Sequence, residues 1–201
     1  ASEGATLKGD TDMEGRGQGQ RWRVPLQVDL HDRSDDTPAG THFVESNNAG
    51  DFTLSGLNMG NFDISVKGNH TLRSLVADVA LSAGNNPVDF GTLREGDANN
   101  DNIVDMLDVA ALQQAYGTSE GQAKINPNCD FNEDGQINSA DASLLTANFG
   151  QAGDPPYAGA TSSGSTFAMA TESGQAGLQT SASPGSVMLV PALTDAGPAS
   201  T

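Results

Sequence analysis

The sequence predicts a mainly β chain with a small α component: an antiparallel β-sandwich, then a pair of loop–helix units, then an extended tail. Three observations carry that reading. Up to about residue 95, short apolar runs alternate with polar residues and are separated by Gly, Asn and Asp turns. From 96 to 150 the chain turns acidic and its apolar residues take a helical spacing. From 151 to 201 it is rich in Ser, Thr, Gly, Ala and Pro, with no Lys or Arg. The expected divisions are therefore 1–95, 96–150 and 151–201.

The strands follow in order. Trp22, Val24, Leu26, Val28 and Leu30 share one parity, which places them on one face of a strand. Pro25 within that run predicts an edge strand or a bulge. Phe52 and Leu54 mark a second strand, Phe62, Ile64 and Val66 a third, Leu75, Val79 and Leu81 a fourth, and Val88 and Phe90 a last. Turn signals fall between them, at Asn48–Asp51, Asn58–Gly60, Lys67–Asn69 and Ala83–Pro87. The stretch Gly50-Asp51-Phe52-Thr53-Leu54-Ser55-Gly56-Leu57, followed by Gly60-Asn61-Phe62-Asp63-Ile64-Ser65-Val66-Lys67, covers roughly one hairpin. It resembles a transthyretin-like sandwich of the carboxypeptidase-regulatory type. That resemblance implies a non-catalytic secreted module and does not by itself imply a ligand.

Charge narrows the function. Nine basic residues against 26 acidic ones give a net −17. Such a chain repels a nucleic-acid backbone and lacks the basic face that sits on anionic lipid. No apolar run approaches the ~20 residues that cross a membrane. No nucleic-acid partner and no membrane insertion are expected. What the chain attracts is cations. The single cysteine, Cys129, forms no internal disulfide and is expected to be partly buried. A start at Ala1 without Met fits a removed leader, and with the acidity it predicts a secreted, extracellular or cell-surface protein.

Two twelve-residue loops carry the chemistry. Asp97 to Asp108 and Asp130 to Asp141 align so that oxygen-bearing side chains fall at positions 1, 3, 5, 9 and 12 of both. These are Asp97, Asn99, Asp101, Asp105 and Asp108, and Asp130, Asn132, Asp134, Asn138 and Asp141. Position 7, Ile103 or Gln136, contributes a backbone carbonyl. A hard cation that wants six to eight oxygens is served by this spacing, which is that of an EF-hand-type calcium loop. Two Ca²⁺ are expected. Position 6 needs a left-handed residue; Asn102 and Gly135 supply it. Position 8 is Val104 or Ile137, expected to pair across the loops.

A helix pattern follows each loop and stops at Gly117 or Gly150. The helices are expected to pack through Val109, Leu112, Leu144 and Leu145. Thr92–Gly96 before the first loop and Ile125–Cys129 before the second are too short and broken for entering helices. A duplicated calcium loop with only the exiting helix resembles a dockerin domain, over about Gly96 to Gly150. The resemblance implies docking onto a cohesin module through loop positions 10 and 11, here Met106-Leu107 and Ser139-Ala140. The first pair departs from the usual Ser/Thr pair and the two halves differ, so structural calcium sites stay open as an alternative.

Other features read as structural. His31, His42 and His70 lack metal spacing and fit solvent-facing strand positions. Gly15-Arg16-Gly17-Gln18-Gly19 precedes a strand and reads as a flexible turn. Trp22, Tyr116 and Tyr157 are too scattered for a sugar platform. In the tail, Val187, Met188, Leu189 and Val190 have strand composition without a neighbouring partner, and Thr161–Thr166 reads as a spacer. No nucleophile elbow or phosphate loop is present, and the chain reads as non-catalytic. The leading expectation is an extracellular filament subunit whose identical copies join by strand donation near 186–193. The alternative is an adaptor that docks onto a cohesin in a cellulosome-like complex.

Overall fold

The computed structural model describes residues 4–17, 22–122 and 126–160. The donor strand expected near 186–193, with Val187, Met188, Leu189 and Val190, lies outside them. The described chain runs β1 (Ala5–Met13), β2 (Pro25–Asp32), β3 (Thr37–Glu45), β4 (Phe52–Leu57), β5 (Gly60–Lys67), β6 (Ser74–Leu81), β7 (Gly84–Leu93), α1 (Met106–Ala115) and α2 (Ser139–Asn148).

Seven strands make two facing sheets, ordered β4-β1-β7 and β3-β2-β5-β6. The larger sheet is antiparallel throughout. The smaller departs from the expected all-antiparallel pattern, because β1 pairs parallel with β7 and antiparallel with β4. β4 and β5 were expected to form one hairpin, yet they belong to different sheets. The turn between them crosses the sandwich.

The core follows from strand parity. Trp22, Val24, Leu26, Val28 and Leu30 are all buried and meet Phe52, Phe62, Ile64, Val66 and Phe90. Each such side chain contributes roughly 1.5–3 kcal/mol relative to exposure. β2 is an inner strand, against the edge expected from Pro25; the proline is its first residue, where a missing N–H is tolerated. Two strands were missed. β1 buries Ala5, Leu7, Gly9, Thr11 and Met13 in alternation, but Gly and Thr dilute the signal. Gly9 is required there, since the Phe52 ring lies where a Cβ would stand. β3 is an edge strand whose half-buried residues, Gly40, His42 and Val44, include only one large apolar side chain, so no apolar alternation marks it.

A second core holds Leu72, Ala98, Val104, Leu112, Ala115, Cys129, Phe131, Ile137 and Leu145, with Val109 and Leu144 packed against it. The four residues expected between the helices are all here. Leu72, from the β5–β6 connection, is the sandwich's contribution. Cys129 is fully enclosed; burial, then Asp108 and Asp141, push its thiol up to about 11. Residues 151–160 return to the sandwich. The amide of Asp154 donates to the Arg73 carbonyl at 2.9 Å, its carboxylate accepts from Leu75 N–H at 3.0 Å, and Tyr157 stacks on His31 at 3.8 Å.

Leu112→Asp and Leu145→Asp each bury an unpaired charge and are expected to destabilise the fold by about 3 kcal/mol or more. Thermal unfolding of each variant beside the parent checks this.

Candidate metal-binding loops

The local fold builds each loop around its own carboxylates. In the first, Asp97 Oδ1 accepts from Asp101 N–H at 2.9 Å and Oδ2 from Asn102 N–H at 2.8 Å. Asn99 Oδ1 accepts from Asp101 N–H, and Asp101 Oδ1 from Ile103 N–H, both at 2.9 Å. The second loop repeats each bond. Asp130 takes the amides of Asp134 and Gly135, Asn132 that of Asp134, and Asp134 that of Gln136. Position 6 is left-handed in both, with φ of 73° at Asn102 and 82° at Gly135, as the turn requires.

Positions 9 and 12 tie each loop to its helix. Asp105 and Asn138 are N-caps, accepting from Leu107 and Ala140 N–H. Asp108 and Asp141 return a bond to the cap's own amide, completing a capping box. Their other oxygens reach back to the loop start, Asp108 to Asn99 N–H and Asp141 to Phe131 N–H. Each of these fully buried acids therefore closes its loop.

Burial, together with the neighbouring Asp97 and Asp101, raises the carboxyl of Asp108 above its ordinary value, and burial with Asp141 and Asp134 does the same at Asp130. Among the described residues, no three His, Cys, Asp or Glu side chains converge on one metal position by themselves. The oxygen set mixes carboxylates with an asparagine amide and a carbonyl, donors that suit a hard cation. Clustered, buried carboxylates that repel one another are relieved by such an ion.

Val104 and Ile137 are fully buried in one cluster, but they do not share a ladder. Val104 pairs with the turn after α2, giving its N–H to Gln151 and accepting from Gly150, both at 2.8 Å. Ile137 pairs with the turn after α1, through Thr118 at 2.9 Å and Gly117 at 2.8 Å. Each loop is thus bonded to the end of the other helix.

The sandwich grips both loops through charges the sequence reading missed. Arg16, read as part of a flexible turn, is buried and pairs with Glu95 and, at 3.0 Å, with Glu133 of the second loop. His31 and His70, read as solvent-facing, are buried. His70 Nδ1 lies 2.5 Å from Glu95. Burial opposes a charge on His70, but Glu95 and Glu133 outweigh it and lift the imidazole to about 9. Asn148, at the end of α2, donates to Glu14 at 2.6 Å and to the Glu95 carbonyl at 2.8 Å. Lys67, the last residue of β5, lies 2.6 Å from Asp97. The arginine among glycines was the only sequence signal for this seam.

Met106 and Leu107, positions 10 and 11 of the first loop, are 64% and 62% exposed. A groove of about 650 Å³ beside them is lined by Leu107, Ala110, Ala111, Gln114, Ala115 and Asn126. Ser139 and Ala140 are exposed on α2. No helix among the described residues is long and apolar enough to cross a membrane.

Residues 95–150 match the dockerin type I domain. The dockerin span is under a third of the chain. A chain of a type II cohesin–X–dockerin complex from Acetivibrio cellulolyticus, an N-terminal interface mutant, is similar at 18% identity and a TM-score of 0.58. A C-terminal interface mutant of that complex is similar at 18% identity and a TM-score of 0.55. Each likeness covers 74% of this chain and 97% of the other, so the shared fold takes in sandwich as well as dockerin residues. No curated protein matches the chain.

His70 holds its proton more tightly folded than unfolded, where histidine sits near 6.5. Its contribution is full below that value and is lost as pH rises through about 9. The parent's melting temperature is expected to fall over that range, and that of His70→Gln to fall much less.

Proposed function

We propose that this chain is a secreted, non-catalytic docking protein whose two calcium-loaded loops hold a pair of helices in shape to bind a cohesin-type partner. The observation that carries the reading is the dockerin match at 95–150, laid over two loops that repeat bond for bond. In this reading Asp97, Asn99, Asp101, the Ile103 carbonyl, Asp105 and Asp108 hold one Ca²⁺. Asp130, Asn132, Asp134, the Gln136 carbonyl, Asn138 and Asp141 hold the other. The ion supplies positive charge to each loop and so relieves the repulsion among its acids. Extracellular calcium supports sites of roughly 10⁻⁴–10⁻³ M, which fits a location outside the cell.

The docking face is on α1. Met106 and Leu107 are exposed apolar residues beside a groove, whereas Ser139 and Ala140 offer little apolar area. Desolvating the first pair gives a partner more than desolvating the second. The structural neighbours come from complexes with a cohesin, which supports the same partner class. Filament assembly has less behind it, because its donor strand lies outside the described residues and the comparisons favour docking.

Two measurements test the reading. At a calcium concentration about 100-fold above Kd, each site is expected to stabilise the fold by about 2.7 kcal/mol, so chelator lowers the melting temperature. Binding to a panel of immobilised cohesins is expected only with calcium. Leu107→Asp is expected to weaken it at least about tenfold with an unchanged melting temperature, and Ala140→Asp to weaken it much less. An unchanged melting temperature in chelator, or no cohesin bound by the calcium-loaded chain, argues against the proposal.

A further inference from the structure

The two loops share the side chain–amide bonds made by positions 1, 3 and 5, yet one position-1 acid carries a cation the other lacks. Lys67 Nζ lies 2.6 Å from Asp97 Oδ2, on the position-1 acid of the first loop. Asp130, the same position in the second loop, takes only amide donors among the described residues. Lys67 belongs to β5, so this cation comes from the sandwich. It is held firmly: the ammonium also donates to the Thr71 carbonyl at 2.5 Å, and the two side chains are 8% and 0% exposed. Salt and water screen such a pair weakly.

Each twelve-residue loop holds four acids, but they differ at the liganding positions. The first has Asp at positions 1, 5, 9 and 12; the second has Asp at 1, 5 and 12 and Asn138 at position 9. Arg16 and His70 face the second loop as well, but through Glu133 at position 4, and together they balance Glu133 and Glu95. Lys67 therefore cancels the one acid by which the first loop's liganding set exceeds the second's.

We propose that Lys67 is a built-in counter-charge that levels the two cation sites, so that the sandwich sets the affinity of the first loop. The proposal rests on reading the loops as calcium sites. A carboxylate loop gains calcium affinity with its negative charge. An ammonium bonded to a position-1 acid withdraws one charge and repels a divalent ion. It also holds Asp97 in place before any ion arrives, through the same oxygen that Asn102 N–H engages. Asp97 Oδ1 is left outside the ammonium's grip. The first loop thus reports to β5 whether it is filled.

Calcium titration calorimetry of the full chain and of Lys67→Met tests this. The parent is expected to show two sites of similar affinity. Lys67→Met is expected to tighten one of them about tenfold and leave the other unchanged. Amide NMR signals of Asn102 and Gly135 identify the tightened site as the first loop. If calcium binds but Lys67→Met leaves both sites unchanged or weakens one, the Lys67 proposal falls and the calcium reading stands. If the parent binds no calcium, both fall. Should the variant not fold, the ¹⁵N-labelled side chain of Lys67 in the parent decides. Its ammonium signal shifts as calcium fills the first loop, and an unmoved signal beside shifted loop amides overturns the proposal.

Discussion

A carboxylate sealed from water must find a donor or a cation, and this fold is arranged around that constraint. Asp97, Glu95, Asp108 and Asp141 are all fully buried in a chain of net charge −17. Leaving such groups unpaired costs more than most single packing defects. The fold answers in two ways. Asp108 and Asp141 are met by amide N–H groups, two regions of chain converging on each acid. Glu95 and Asp97 are met by Arg16, His70 and Lys67, all from the sandwich. Two of the nine basic residues, with one of the three histidines, are therefore committed to the seam.

This division explains what the sequence made legible. Both loops could be read residue by residue because their oxygen-bearing side chains and the amides they bond lie within twelve residues. The helix stops and the Leu112 and Leu145 contacts followed from local periodicity. β2 was legible because its five inward residues are all large and apolar. β1 was not, because Gly9 under the Phe52 ring looks like a turn residue in a sequence. β3 was not, because its inward residues, Gly40, His42 and Val44, include a single large apolar side chain. The seam was invisible for a different reason. Arg16 and Glu95 are 79 residues apart, and no local pattern links them. The same holds for His31, whose burial depends on Tyr157, in a stretch read as tail.

The loop pairing shows a second limit of local reading. A duplicated unit suggests that like positions pair, which leads to a Val104–Ile137 contact through the backbone. Each strand-like residue has one N–H and one carbonyl to place. Val104 spends both on the turn after α2, and Ile137 spends both on the turn after α1. The swap keeps the twofold relation but makes each half incomplete alone. A loop can reach its bonded shape only when the other helix has ended at its glycine, so the duplication is one cooperative unit.

That cooperativity bears on what the sandwich is for. A pair of helices ten residues long each is marginal in water by propensity alone. Their shape depends on the loops, and the loops depend on Arg16, His70 and Lys67 for neutralisation of buried acids. The strap at 151–160 then fixes the first loop to β6, with Gly153 N–H on Asn102 and Leu75 N–H on Asp154. The second loop is fixed on the other side through Glu133. Both loops are thereby anchored to one rigid sandwich at separate points. In the proposed docking, a partner pressing on Met106 and Leu107 meets helices already held by both loops, which keeps the entropic cost low. In this arrangement the sandwich does not need to touch the partner to raise its affinity. In that proposal it acts by holding α1 in one orientation.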